Sequence, residues 1–229
     1  MEKALKILFH GNFETAADWA FLDSDWQVFS LWDFLKENKF KNWEDFSKSL
    51  AAELQKEKPL QLAGYSLGGR ILLNVNKFFP EAKMTFISTH PGLKTEMEKN
   101  SRLWSDLKWK ERVFLEDWKS LFHAWNAQPV FEVEAEKSEK LFFLSEKYRN
   151  EIALAFDLLS LGRMPNFFDF EIENVSRMSW ICGDADQKFH KLGESFIKKN
   201  PMKFISFEGA GHRIHKKCPS ELLKALNSQ

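Results

Sequence analysis

The sequence predicts an α/β fold, a mostly parallel sheet of about six or seven strands with helices on both faces. Three observations predict it. Short apolar runs alternate with amphipathic stretches along the 229 residues, the order that builds a doubly wound sheet. The run Gly64-Tyr65-Ser66-Leu67-Gly68 stands between one such strand and one such helix. Acids and histidines then follow later strands in the order Ser, Asp, His that a serine on a strand-to-helix turn requires.

The elements follow in order. Apolar runs at 4–9, 26–31, 59–64, 84–89, 178–182 and 203–207 are short enough for buried parallel strands. Residues 42–54 carry apolar side chains at i, i+3 and i+4, the pattern of an amphipathic helix. Residues 70–79 continue the serine turn as a helix, and Pro219 opens a last helix over 219–226. From about 94 to 163 no strand pattern occurs. This stretch is charged and helical, with Trp104, Trp109, Trp118, Trp125 and several phenylalanines. It reads as a helical cap inserted in a core of residues 1–93 and 164–229. Most of its aromatics would simply hold helices on the sheet, and a cap also supplies the water-poor pocket that serine chemistry needs.

Composition sets limits. The chain is 44% hydrophobic and 29% charged, enough to bury one full core. With 33 basic and 33 acidic residues its formal charge is zero, so no nucleic-acid footprint is expected. No apolar run approaches the roughly 20 residues that span a bilayer. The opening residues run straight into a strand, so no signal peptide is expected and the cytoplasm is the expected compartment. Cys182 and Cys218 form no disulfide or zinc pattern and are expected to be free thiols. Neither metal-ligand spacing nor a dinucleotide fingerprint occurs, so no cofactor and no metal are expected. The expected partner is a small molecule, and the chain is expected to be a monomer or homodimer.

The chemistry concentrates on Ser66. A serine on a sharp turn needs flanking residues without bulk. The same turn sets Ser66 at a helix N-terminus, where the amide of Leu67 can face a developing oxyanion. A glycine-rich turn with a capping serine is the plain alternative. His212, in Glu208-Gly209-Ala210-Gly211-His212 after the last strand, is the histidine placed to reach it. His190 and His215 lie in ordinary helical or loop surroundings and read as surface residues. Asp186 follows the strand 178–182, where functional groups collect in open α/β sheets. Asp184 is its rival and could equally cap or turn. After the first strand, His10-Gly11 places the amide of Asn12 as a second oxyanion donor. His10 itself reads as structural.

The stretches Gly64–Arg70, His90-Pro91-Gly92-Leu93, Arg102, Ser105-Asp106 with Trp109, and Trp125 with Gln128–Phe131 carry a resemblance. So do Cys182–Phe189, Ala210-Gly211-His212, His215, Pro219, His10-Gly11 and Trp19. Together they make the chain similar to the 2-succinyl-6-hydroxy-2,4-cyclohexadiene-1-carboxylate synthases of menaquinone biosynthesis, within the α/β-hydrolase superfamily. The resemblance implies an α/β-hydrolase fold and an elimination: a ring proton is removed from a cyclohexene polycarboxylate and pyruvate is expelled. It implies Ser66, His212 and Asp186 as the triad, and Tyr65, Arg70, Arg102 and Trp125 as contacts to an anionic substrate. Guanidinium groups grip carboxylates bidentately. A surface ion pair is the plain alternative for each arginine, and plain core for Trp125. The chain departs from the family at Asn126, where a tyrosine is usual, at Asn12, where an aromatic is usual, and in the loop Ser30–Phe34. A further cap arginine has only Lys147 or Arg149 as counterparts. A carboxylesterase working through an acyl-enzyme, and a non-catalytic binding protein on the same scaffold, are the alternative functions.

Overall fold

A computed structural model of the chain describes residues 5–133 and 138–228. The first predicted strand thus begins, at residue 4, outside the described residues. The described chain runs β1 (Lys6–Phe9), β2 (Trp26–Phe29), α1 (Leu31–Glu37), α2 (Trp43–Glu57), β3 (Gln61–Tyr65), α3 (Leu67–Val75) and β4 (Lys83–Ile87). It continues through α4 (Glu96–Leu115), α5 (Trp118–Asn126), α6 (Glu139–Phe143), α7 (Arg149–Leu158), β5 (Met178–Gly183), α8 (Gln187–Lys199), β6 (Lys203–Phe207), α9 (Ile214–Lys217) and α10 (Pro219–Asn227).

Six strands form one sheet in the order β2-β1-β3-β4-β5-β6, and every pairing is parallel. Period-two alternation divides the core between its faces. Ile7, Phe9, Leu62, Phe86 and Trp180 pack with α2, α3 and the helices beyond β4. Leu8, Ala63, Ile87 and Ile181 pack with Trp19, α9 and α10 on the other face.

Strand ends differ from expectation by one or two residues, for local reasons. β3 starts at Gln61 because Pro59 has no N–H to give the ladder. β2 stops at Phe29 because the Ser30 side chain accepts the Asp33 N–H and caps α1. β4 ends at Ile87, since Ser88 takes a left-handed φ of 43°. Cys182 is buried in β5 and Cys218 precedes α10, both as free thiols.

Between β4 and β5 the described residues hold helices and short turns only. Three tethers fix them. Thr95 and Glu98 close a capping box at the start of α4. Arg149 donates from Nη1 to the carbonyls of Val113 (2.5 Å) and Glu116 (2.9 Å) and stacks over Trp118. Trp43 of α2 donates to the Ser160 carbonyl at 3.0 Å. No described helix is long and apolar enough to cross a membrane.

Candidate active site

Parallel strands send their C-terminal ends to one edge of the sheet, and the loops leaving β1, β3, β5 and β6 carry Asn12, Ser66, Asp186 and His212 there. Ser66 takes φ 51° and ψ −106°, a conformation that costs about 1–3 kcal/mol for a residue with a side chain. Three hydrogen bonds hold it: Ser66 N–H to the Ile87 carbonyl (2.9 Å), and the Arg70 N–H and Thr89 hydroxyl to the Ser66 carbonyl (3.1 and 2.8 Å). The flanking glycines are sterically required. A Cβ on Gly64 would strike the Gly68 carbonyl, and one on Gly68 the Phe9 carbonyl.

His212 Nε2 lies 3.3 Å from Ser66 Oγ, and its Nδ1 lies 2.7 Å from Asp186 Oδ2. A carboxylate only accepts, so Nδ1 carries the proton and Nε2 turns its lone pair to the serine hydroxyl. The imidazole is buried and packed by the rings of Phe189 (4.4 Å), Tyr65 (5.5 Å) and Phe131 (5.8 Å). Asp186 uses its other oxygen to accept the Phe189 N–H and cap α8. Asp184, the rival acid, instead accepts the Gly209 N–H at 2.7 Å and braces the loop before His212.

Leu67 is the first residue of α3, where an amide has no intrahelical acceptor. Asn12 borders the same cavity as Ser66, and its main-chain N–H has no protein acceptor among the described residues. His10 is spent structurally. Its Nδ1–H donates to the Gly11 carbonyl (2.9 Å) and its Nε2 accepts the Leu31 N–H (3.3 Å). Burial lowers its pKa, which keeps the ring neutral.

A cavity of about 630 Å³ opens over Ser66 and His212. Trp109, Trp125, Phe131 and Phe156 of the helical stretch line it, with Arg70 of α3, His90 of the loop after β4 and Lys188 of α8. Trp125 is half-buried, 4.7 Å from the ring of Phe13 and edge-on to Trp109 at 5.0 Å. A smaller lobe of about 190 Å³ continues past Ser66 toward Asn126 and Tyr65. Asn126 is buried there and donates to the Phe122 carbonyl at 2.9 Å. Tyr65 is 3% exposed and wedged among Trp19, His212 and His215, at the back of the site rather than its mouth.

Three cations, Arg70, Arg102 and Lys188, border the cavity together with the acids Asp106, Glu132 and Asp186. Arg70 is 6% exposed and donates to the Leu159 carbonyl at 3.0 Å, with no acidic side chain in ion-pair range among the described residues. Burial, and then the neighbouring Arg102, lower its pKa to about 9, so it remains charged at neutral pH. Arg102 donates from Nε to Asp106 Oδ1 at 2.9 Å, and Ser160 donates to the other oxygen of that buried acid at 2.7 Å. His90 accepts the Gly92 N–H at 3.1 Å; burial and the cations around it hold its pKa near 3, so it is neutral. Lys147 and Arg149 lie elsewhere. Arg149 ties α4 to α7, and Lys147 stands over Tyr148 beside a separate cavity.

Lys188 takes the third cationic place, and the residue patterns alone do not single it out. Desolvation against the cavity wall and then Arg102 lower its pKa while Asp186 raises it, although the residue as a whole stays exposed. Glu14 is the other unforeseen group. It is 7% exposed, with Oε1 2.9 Å from His215 Nε2. His215, read from sequence as a surface residue, is buried here. Burial alone would raise the Glu14 pKa, but His215, Lys216 and the Gly11 N–H outweigh it and bring it to about 2 from 4.5. A depressed carboxylate stabilises the fold above its unfolded pKa and loses that contribution as pH falls toward its folded one. Between pH 5 and 3 the melting temperature of the wild type should therefore drop about 5 °C more than that of Glu14→Gln. Equal drops in parallel calorimetric scans would assign the acid sensitivity to other carboxylates.

No protein-family model matches the chain. It is 30% identical over 169 residues to the 2-succinyl-6-hydroxy-2,4-cyclohexadiene-1-carboxylate synthase of Citrobacter koseri, covering 72% of this chain and 66% of that protein. With the protein of the same name from Pectobacterium atrosepticum it shares 25% identity over 230 residues, 93% of this chain and 88% of that one. Among solved structures, MenH from S. aureus superposes with a TM-score of 0.78 over 100% of this chain and 94% of its own, at 19% identity.

Proposed function

From the premise that the chain belongs to the α/β-hydrolase superfamily, as a relative of the 2-succinyl-6-hydroxy-2,4-cyclohexadiene-1-carboxylate synthases, we propose that it catalyses the same elimination. Ser66 Oγ, its proton drawn off by His212 Nε2, takes the proton from the substrate ring. The C–H electron pair becomes the new ring double bond, and the C–O bond to the enolpyruvyl group breaks. The proton held on His212 goes to the departing enolpyruvate, which leaves as pyruvate. Asp186 holds the imidazole in the required tautomer. The N–H groups of Asn12 and Leu67 face the charge that builds on the substrate as its proton leaves. Residues 94–163 serve as the cap of a core formed by 1–93 and 164–229, and exclude water from the pocket.

The observation that carries this reading is the buried guanidinium of Arg70 near the serine, which has no direct ion-pair partner among the described residues and feels Asp106 only at longer range. A buried cation without a carboxylate is costly unless a ligand supplies the anion. Lys188 and Arg102 border the same cavity, Arg102 with its Nε already on Asp106, and with Arg70 they can meet the carboxylates of an anionic substrate. A carboxylesterase acting on neutral esters has no use for that charge.

The test is direct. Substrate generated in place by the preceding enzymes should release pyruvate, read by a coupled NADH assay, in proportion to this protein. Small p-nitrophenyl esters should turn over slowly or not at all. Brisk ester hydrolysis with no pyruvate would replace the proposal with the esterase reading.

A further inference from the structure

A buried carboxylate–imidazole contact outside the reacting groups joins the two loops on which the proposed chemistry depends. Glu14 ends the turn that carries Asn12; His215 opens α9 just beyond His212. The Glu14 carboxylate accepts the Gly11 N–H and the Trp19 Nε1–H, both at 3.1 Å on Oε2, and presents Oε1 to His215 at 2.9 Å. The turn is closed from its other side as well. The Glu14 N–H approaches the Gly11 carbonyl at 3.4 Å, and Trp32 Nε1–H donates to the Glu14 carbonyl at 2.7 Å. His215 lies flat on Trp19, ring centres 4.4 Å apart and 13° from parallel, and meets the edge of Tyr65 at 4.6 Å. One residue on, Lys216 pairs with Asp18 at 2.6 Å.

We propose that Glu14 and His215 are a positioning pair, which sets the Asn12 N–H in register with Ser66 by tying the loop after β1 to the segment that carries His212. Inside the turn, Phe13 holds a left-handed φ of 55°. A non-glycine residue in that region persists only where its surroundings enforce it. The Gly11 N–H, immediately ahead of the strained stretch, has the Glu14 carboxylate as its acceptor. Without that carboxylate the turn can relax by a peptide rotation that costs no covalent strain and turns the Asn12 N–H off the serine. Oxyanion donors are sensitive to such shifts, because preorganisation is their whole contribution.

The proposal rests on the reading of Ser66 and His212 as a reacting pair, and its test separates the two. A fluorophosphonate probe labels an activated serine and depends on the oxyanion donors, whatever the natural substrate. Failure of the wild-type protein to label at Ser66 would overturn the reading of the site itself. Given wild-type labelling, Glu14→Ala should slow it by about 30-fold or more, and should lower kcat for pyruvate release comparably. KM should stay within about threefold, since the cations are untouched. Glu14→Gln can keep both Oε2 bonds through its amide oxygen and should recover to within about fivefold of wild type. His215→Phe keeps the stacked ring but leaves a buried carboxylate unpaired, and should cost about tenfold; adding Glu14→Gln to it should restore most of the loss. A purely structural pair would lower the melting temperature of these variants and leave the labelling rate per folded molecule unchanged. That outcome overturns the proposal, as would a rise in KM at constant kcat. If Glu14→Ala does not fold, the His215→Phe single and double variants decide the question alone.

Discussion

Replacing Ser66 by alanine is expected to lower turnover by a factor on the order of 10⁴ or more, and His212→Ala by a similar factor. The double variant should be little worse than either single one. The reason is geometric. With Nδ1 of His212 held by Asp186 at 2.7 Å and Nε2 facing Ser66 Oγ at 3.3 Å, neither residue offers a useful base without the other. The 3.3 Å separation is slightly longer than a tight hydrogen bond, as is common before substrate closes the site. Single-turnover pyruvate release on the three variants, with circular dichroism as the folding control, makes the measurement. Losses that multiply would mean that His212 does not serve Ser66, and the proposed mechanism would fall.

Neutralising Arg102 should damage the proposed reaction by about two orders of magnitude in kcat/KM, while hydrolysis of a small neutral ester, if any occurs, stays within a fewfold of wild type. The loss of a desolvated charge-assisted pair costs about 2–5 kcal/mol, and 1.36 kcal/mol is tenfold. The choice of variant matters. Asp106 is 2% exposed and takes a hydrogen bond from Arg102 Nε, so Arg102→Ala would strand a buried carboxylate and loosen α4. Arg102→Gln keeps an N–H donor for Asp106 and removes only the charge. Equal losses on both substrates would indicate disturbed packing around α4. No loss on either would make Arg102 a partner of Asp106 alone and would remove a main support for a polyanionic substrate.

The layout was legible where local rules act alone. The Gly64-Tyr65-Ser66-Leu67-Gly68 turn needs only steric arguments, and short apolar runs bounded by polar turns read as parallel strands, although the edge strand β6 is only partly buried. The partner of His212 was legible with one rival, because Asp184 and Asp186 both follow β5. Only the chain path separates them, by turning Asp184 toward the Gly209 N–H. What stayed hidden depends on contacts between residues far apart in sequence. Nothing near Glu14 announces His215, 201 positions later, so a histidine buried against a carboxylate of another loop read as a surface residue. Arg149, one of the two residues near the place of a further family arginine, is instead claimed by the carbonyls of Val113 and Glu116.

One carboxylate in this site has two dependants. Asp186 Oδ1 closes the first turn of α8 by accepting the Phe189 N–H, and Oδ2 aligns His212. The ring of Phe189 in turn lies against the imidazole, 4.4 Å away. Fraying of that single helical turn would therefore unseat the His212 imidazole by two routes at once, without disturbing the sheet. Helix ends open at far lower free energies than cores. On warming, the protein would fall silent while its spectroscopic signature still reads native. Heat inactivation would then report on a few residues at the start of α8, and a better-anchored first turn there would raise the working temperature more than a denser core.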